Sequence, residues 1–130
     1  MEKEFIPYEL ALALKELGFD KEICFGRWTT YPDGEGFLDT TKHSIYQGRD
    51  DLNRQCLAPL YQQAFRWFRE NHNYWSYIFP YIHKKDWNYH IQYYDTEMWG
   101  AADIDSGFKT YEEAELECLK KLISIVKNKQ

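Results

Sequence analysis

Leu10, Leu14 and Leu17 recur at helical spacing between Pro7 and Gly18, which predicts a first helix over residues 6–18. Pro7 suits the first helical position. Gly18 can adopt the left-handed conformation that ends a helix, with Phe19 folding back onto the last turn. Residues 22–30 are rich in β-branched and aromatic side chains and predict a strand, followed by turn chemistry at Pro32-Asp33-Gly34-Glu35-Gly36. Ser44-Ile45-Tyr46 offers a second short strand, and residues 47–54 have loop composition. A second helix is expected over 58–71, with Pro59 near its start and Leu60, Ala64, Trp67 and Phe68 forming its apolar face.

The period then falls to two. Trp75, Tyr77, Phe79 and Tyr81 alternate with Ser76, Ile78, Pro80 and Ile82, and Trp87, Tyr89, Ile91 and Tyr93 alternate with Asn88, His90, Gln92 and Tyr94. This predicts a hairpin joined by Lys84-Lys85-Asp86. Tyr81 would face Tyr89, Phe79 would face Ile91 and Tyr77 would face Tyr93, placing every large odd-numbered side chain against the helices. Pro80 lacks a ladder donor and marks the first of these strands as an edge or a bulge. A further strand is expected near 98–103. Thr110 and Glu113 then form a capping box that opens a last helix carrying Ala114, Cys118, Leu119, Leu122, Ile125 and Val126. Glutamates crowd the first half of that helix and lysines the second, as the helix dipole favours. The expected architecture is a single α+β domain over 1–130: a small antiparallel sheet with a central aromatic hairpin, packed on one face by three helices.

Composition narrows the function classes. The chain has 130 residues, 44% hydrophobic and 18% aromatic, with a formal net charge of -5. That apolar content supports one hydrophobic core and argues against disorder. No apolar run reaches the roughly 18 residues of a spanning helix, and Met1-Glu2-Lys3-Glu4 lacks a signal-peptide layout, so a soluble intracellular protein with no membrane role is expected. Cys24, Cys56 and Cys118 are widely spaced and read as buried thiols rather than a disulfide framework. Net negative charge disfavours general DNA binding.

Three stretches carry a resemblance. They are Glu4-Phe5-Ile6-Pro7-Tyr8-Glu9-Leu10-Ala11 with Leu17-Gly18-Phe19-Asp20, Ala58-Pro59 leading into residues 63–70, and Lys109-Thr110-Tyr111-Glu112-Glu113 continuing to Ile123. The chain resembles a family of small uncharacterised proteins from Bacteroidetes genomes and their phages or prophages. The resemblance implies a phage or prophage setting in a bacterial host cytoplasm, and it supplies no catalytic residue. Residues 28–57 and 97–108 look like the freely varying parts.

Candidate chemistry is sparse. His43, His72, His83 and His90 lack metal-ligand spacing, so no metal or other cofactor is expected. Phosphate-binding, dinucleotide and serine-hydrolase motifs are absent. Asp103 and Asp105 could hold a cation if extended, but beside Ser106-Gly107 they read first as a turn before the last helix. Asn88, His90, Gln92 and Tyr94 line one face of the second hairpin strand with hydrogen-bonding groups, on what would otherwise be an ordinary solvated sheet face. Trp28, Tyr31, Tyr46 and Trp99 lack a periodic explanation and are candidates for stacking on a base or anchoring an interface. Arg27, Arg49 and Arg54 are candidates for phosphate contacts, or for surface ion pairs.

The resulting expectation is a non-enzymatic accessory protein that binds a host protein or a small nucleotide-type ligand, as in counter-defence. Two alternatives stand beside it: a small enzyme acting on a phosphorylated or nucleotide substrate through Asp103, Asp105 and His90, and single-strand nucleic-acid binding through aromatic stacking. An edge strand near Pro80 also leaves room for a homodimer.

Overall fold

The computed structural model describes residues 4–19, 23–24, 27–30, 36–39, 46–47, 55–57, 59–94 and 99–129; the strands between 23 and 57, and Tyr94, Trp99 and Ala101, are described through their backbone. The fold is α+β. Its contacts divide into two compact units, Met1–Gln63 and Ala64–Gln130.

In the first unit, helix α1 spans Tyr8–Glu16, with Pro7 just before it in an extended conformation rather than inside the first turn. Leu14 and Ala11 are buried, as are Ile6 and Phe5 ahead of the helix. Gly18 takes a φ of 103°, and the Phe19 N–H donates to the Leu14 carbonyl at 3.0 Å, the backbone closure its sequence foretold. The Ile6 N–H donates to the Pro59 carbonyl at 2.9 Å, and Phe5 bridges Leu60. Five short strands follow α1: β1 (Ile23–Cys24), β2 (Arg27–Thr30), β3 (Gly36–Asp39), β4 (Tyr46–Gln47) and β5 (Gln55–Leu57). They form an antiparallel β1–β4 pair and a sheet of order β3-β2-β5, with α1 against β5. Neither β3 nor β5 was expected from the sequence.

Helix α2 spans Tyr61–His72, three residues later than expected, because Leu60 is held in the bridge to Phe5. The Gln63 side chain accepts from the Leu60 N–H at 3.0 Å and serves one donor ahead of the helix. Near the other end, the Asn71 side chain donates to the Trp67 carbonyl. Asn73, at φ 61°, then turns the chain straight into the next strand.

The second unit is built on strands β6 (Tyr74–Pro80), β7 (Trp87–Tyr94) and β8 (Trp99–Phe108), in the antiparallel order β6-β7-β8. Pro80 therefore lies on an edge strand, as its missing donor requires. The register differs from the expected one. Tyr77 pairs with His90, Ile78 with Tyr89 and Phe79 with Asn88, and the Tyr81 N–H donates to the Asp86 carbonyl, so the connection is longer than Lys84-Lys85-Asp86. The offset from the expected pairing is an odd number of residues, and since side chains alternate it turns one strand over relative to the other. On β7 the odd residues Tyr89 and Ile91 are buried as expected, but they share their face with Tyr74, Ser76 and Ile78 of β6. Trp75, Tyr77 and Phe79 point the other way and are exposed, as is Tyr81 beyond the strand.

Strand β8 is longer than the sequence suggested and contains Asp103 and Asp105, which overturns the expected turn before the last helix and puts both in a ladder. Pairing with β7 and a bond from the Tyr89 hydroxyl to Asp103 override the local turn preference. Gly107, at φ 89°, lies where the β7–β8 register shifts between Trp87 and Tyr89, a bulge that suits glycine. Gly100 lies under the Tyr93 ring, whose atoms come within 2.7 Å of where a Cβ would stand.

Helix α3 spans Tyr111–Lys129 and covers the inner face. The Thr110 hydroxyl accepts from the Glu113 N–H at 3.1 Å, while Glu113 reaches back to the Lys109 N–H rather than to that of Thr110. Ala114, Cys118, Leu119, Leu122 and Val126 are buried along its length. The Tyr111 ring meets Trp87 edge-on, and the Lys129 ammonium lies 5.0 Å from the Tyr74 ring centre and 5.8 Å from that of Tyr93. The helix thus runs along β7, from its Trp87 end to its Tyr93 end.

Candidate functional site: the outer face of the C-terminal sheet

The β6–β7–β8 sheet has one helix-covered face and one open face. Along β6 the open face carries Trp75, Tyr77 and Phe79; beside them on β7 stand Gln92, His90 and Asn88; and Ile104 of β8 pairs with His90 on the far side. Strand alternation puts all of them on one surface because each is a register partner of the next. Tyr77 is 46% and Ile104 60% exposed, so the surface is open. The Tyr77 and His90 rings meet edge-on with centres 6.4 Å apart, and the Arg69 guanidinium lies 5.4 Å from the Trp75 ring centre.

Two polar atoms in the middle row lack partners. Asn88 Oδ1 and His90 Nε2 are both buried and make no hydrogen bond. Asn88 as a residue is only 4% exposed, which corrects the expectation of an ordinary solvated row. Its covering lies on its own face of the sheet, where Phe79 is its register partner. Leaving such an atom unpaired costs about 1–3 kcal/mol, so this is a place where folding alone does not satisfy the chain.

The inner face holds a separate polar cluster. The Tyr89 hydroxyl donates to Asp103 Oδ2 at 2.5 Å, and Tyr89 stacks on Phe108. Burial, followed by the bond to Asp103, pushes the Tyr89 phenol upward. On α3, burial pushes Glu115 up to about 7, with the Tyr111 hydroxyl opposing the shift and Glu112 adding to it. Burial also pushes the Cys118 thiol up to about 12, against the neighbouring Ser76 hydroxyl, and Ser76 Oγ makes no hydrogen bond of ordinary geometry. Cys118 is therefore a protonated, buried thiol and a poor nucleophile.

The structure does not bring His90 together with Asp103 and Asp105. His90 pairs with Ile104 on the open face, whereas Asp103 and Asp105 pair with Ile91 and Tyr89 on the covered face. Asp105 Oδ1 instead accepts from the N–H of Ser106 at 2.8 Å. Among the described residues no three His, Cys, Asp or Glu side chains are placed to hold a metal ion.

Of the other sequence candidates, Arg27 and Trp28 lie on β2 and Tyr46 on β4, while Tyr94 ends β7 and Trp99 begins β8 as its register partner. Tyr31, Arg49 and Arg54 lie outside the described residues. The residues assigned to the core from the sequence that the structure exposes are Trp75, Tyr77, Phe79 and Tyr81, which lie off the covered face, and Tyr93, which lies on the covered face at its end. Both parities of β6 contain apolar side chains, so periodicity alone could not choose a face.

Comparison with protein-family models, with curated proteins and with solved structures gave no match. Among the described residues no helix is long and apolar enough to cross a membrane.

Proposed function

We propose that the chain is a non-enzymatic binding module whose ligand carries a planar heteroaromatic group of the nucleotide type and docks on the open face of the β6–β7–β8 sheet. One juxtaposition carries this reading: the exposed rings of Trp75, Tyr77 and Phe79 stand beside a row in which Asn88 Oδ1 and His90 Nε2 are unpaired. A nucleobase answers both deficits, offering a π face to the rings and edge donors and acceptors to the amide and imidazole. The polar atoms lie beneath their neighbours, so binding requires a ring to swing aside. Tyr77 is half-exposed, and rotamer changes of exposed side chains are fast.

The separation of His90 from the two aspartates, and the protonated state of Cys118, favour binding over catalysis. The phage or prophage setting implied by the resemblance would make such a module an accessory factor that captures a ligand of its bacterial host. Calorimetric titration with adenosine, guanosine, cytidine and uridine monophosphates tests the reading. Saturable binding to at least one, weakened about tenfold or more by Tyr77→Ala, is expected. Absence of binding across the panel, or binding indifferent to Tyr77→Ala and Asn88→Ala, would overturn it.

A further inference from the structure

Resting on that reading, we infer that the ligand of this face is a single-stranded nucleic acid laid along β6, with consecutive bases meeting Trp75, Tyr77 and Phe79. The first argument is repetition. Three rings at alternate positions of one antiparallel strand recur about every 6.8 Å, twice the ~3.4 Å rise of stacked bases. The row therefore offers successive stacking surfaces to a ligand that is itself a chain of planar groups. Tyr81 extends the alternation past the strand and is also exposed.

The second argument is shape. Small ligands are ordinarily held in concave sites that enclose most of their surface. A face on which Tyr77 and Ile104 are 46% and 60% exposed encloses little, and it favours an extended ligand that gathers several modest contacts.

The third argument is charge. Cations flank the row at both ends: the Arg69 guanidinium beside Trp75, and the exposed Lys84 and Lys85 in the connection that follows Tyr81. Within the strands no carboxylate occupies a register position on the open face among the described residues; Asp86, whose carbonyl accepts from the Tyr81 N–H, lies beyond them, next to Lys84 and Lys85. Asp103 and Asp105 share the register of the covered face, and Glu112, Glu113, Glu115 and Glu117 lie on the helix that covers it. The chain's negative charge also lies mostly elsewhere, with seven basic against eleven acidic side chains up to residue 63 and nine against ten from residue 64 onward. A strand with its phosphates near Arg69 and the lysine pair and its bases on Trp75, Tyr77 and Phe79 meets no carboxylate within the strands' open face among the described residues, the two lysines outnumbering Asp86 at the connection. A duplex keeps its base faces stacked inside and presents nothing for the rings to hold.

Fluorescence anisotropy on the full chain tests this with labelled single strands of RNA and of DNA about ten nucleotides long, the matching duplex, and a labelled adenosine monophosphate. At least one single strand should bind about tenfold or more tightly than both the mononucleotide and the duplex. Raising salt from ~50 to ~200 mM should weaken it, and the slope should shrink in the Lys84→Ala, Lys85→Ala double variant. Tyr77→Ala and Phe79→Ala should each weaken binding several-fold, with Tyr77→Phe retaining it; a thermal melt of each variant separates lost contact from lost fold. A mononucleotide that binds as tightly as the single strand would overturn this inference and leave the binding reading intact. If neither ligand binds, or if strand binding ignores the ring variants, both fall.

Discussion

On the inner face of the β6–β7–β8 sheet Tyr74, Tyr89 and Ile91 retain 3%, 4% and 0% of their exposure, whereas on the outer face Trp75 and Phe79 retain 38% and 39%. Both faces are rich in rings, and α3 packs on the inner one. The inner face answers its polar atoms internally where it can, through the Tyr89 hydroxyl on Asp103. The outer face leaves Asn88 Oδ1 and His90 Nε2 unanswered. The lesson is that aromatic content alone does not distinguish core from contact surface; the distinction lies in which parity of each strand the helix covers.

That contrast can be broken by substitution. Leu119→Ala, on the buried side of α3, should lose about 2–5 kcal/mol of stability in chemical denaturation; a loss under ~1 kcal/mol would mean that α3 does not seal the inner face. Tyr89→Phe removes the donor to the half-buried Asp103 and should cost about 1–2 kcal/mol, read in the same experiment.

Glu115 sharpens the comparison through pH. Its carboxyl is raised in the folded state from 4.5 to about 7, chiefly by burial, so the folded chain binds its proton more tightly than the unfolded chain. Stability from this group is accordingly full below about pH 4.5, falls as pH rises toward 7 and levels off above it. At pH 8 Glu115→Gln should stabilise the protein by on the order of 1 kcal/mol, with the gain vanishing near pH 4; a pH-independent difference would contradict the assignment. The smallest effect is expected outside: Tyr77→Ala should change stability by under ~0.5 kcal/mol while altering ligand binding. A large stability loss there would identify the outer rings as core.

Features set by short-range chemistry were legible in the sequence. The Gly18 closure, the Thr110–Glu113 cap and the buried stripe of α3 all depend on residues within a few positions of one another. The strand character of 74–80 and 87–94 was legible too. Their register was not, because it depends on how many residues the connection spans, and Tyr81, Ile82 and His83 look as strand-like as what precedes them. Asp103 and Asp105 were misread for a related reason: their local preference is for a turn, and a ladder to β7 together with the Tyr89 hydroxyl decides otherwise. Of the candidate site, the Asn88, His90 and Gln92 row was visible as alternation. The rings beside it were seen but assigned to the wrong face.

Asn73 links α2 to β6 with a single left-handed residue, leaving no slack between helix and strand. Mutational tolerance around it should therefore be lopsided. Substitutions along β6 change one ring at a time, whereas inserting or deleting one residue beside Asn73 rotates the whole strand by half a turn, sending the rings into the core and the core residues to the surface. Lineages carrying this protein should therefore keep the chain length between His72 and Tyr74 fixed.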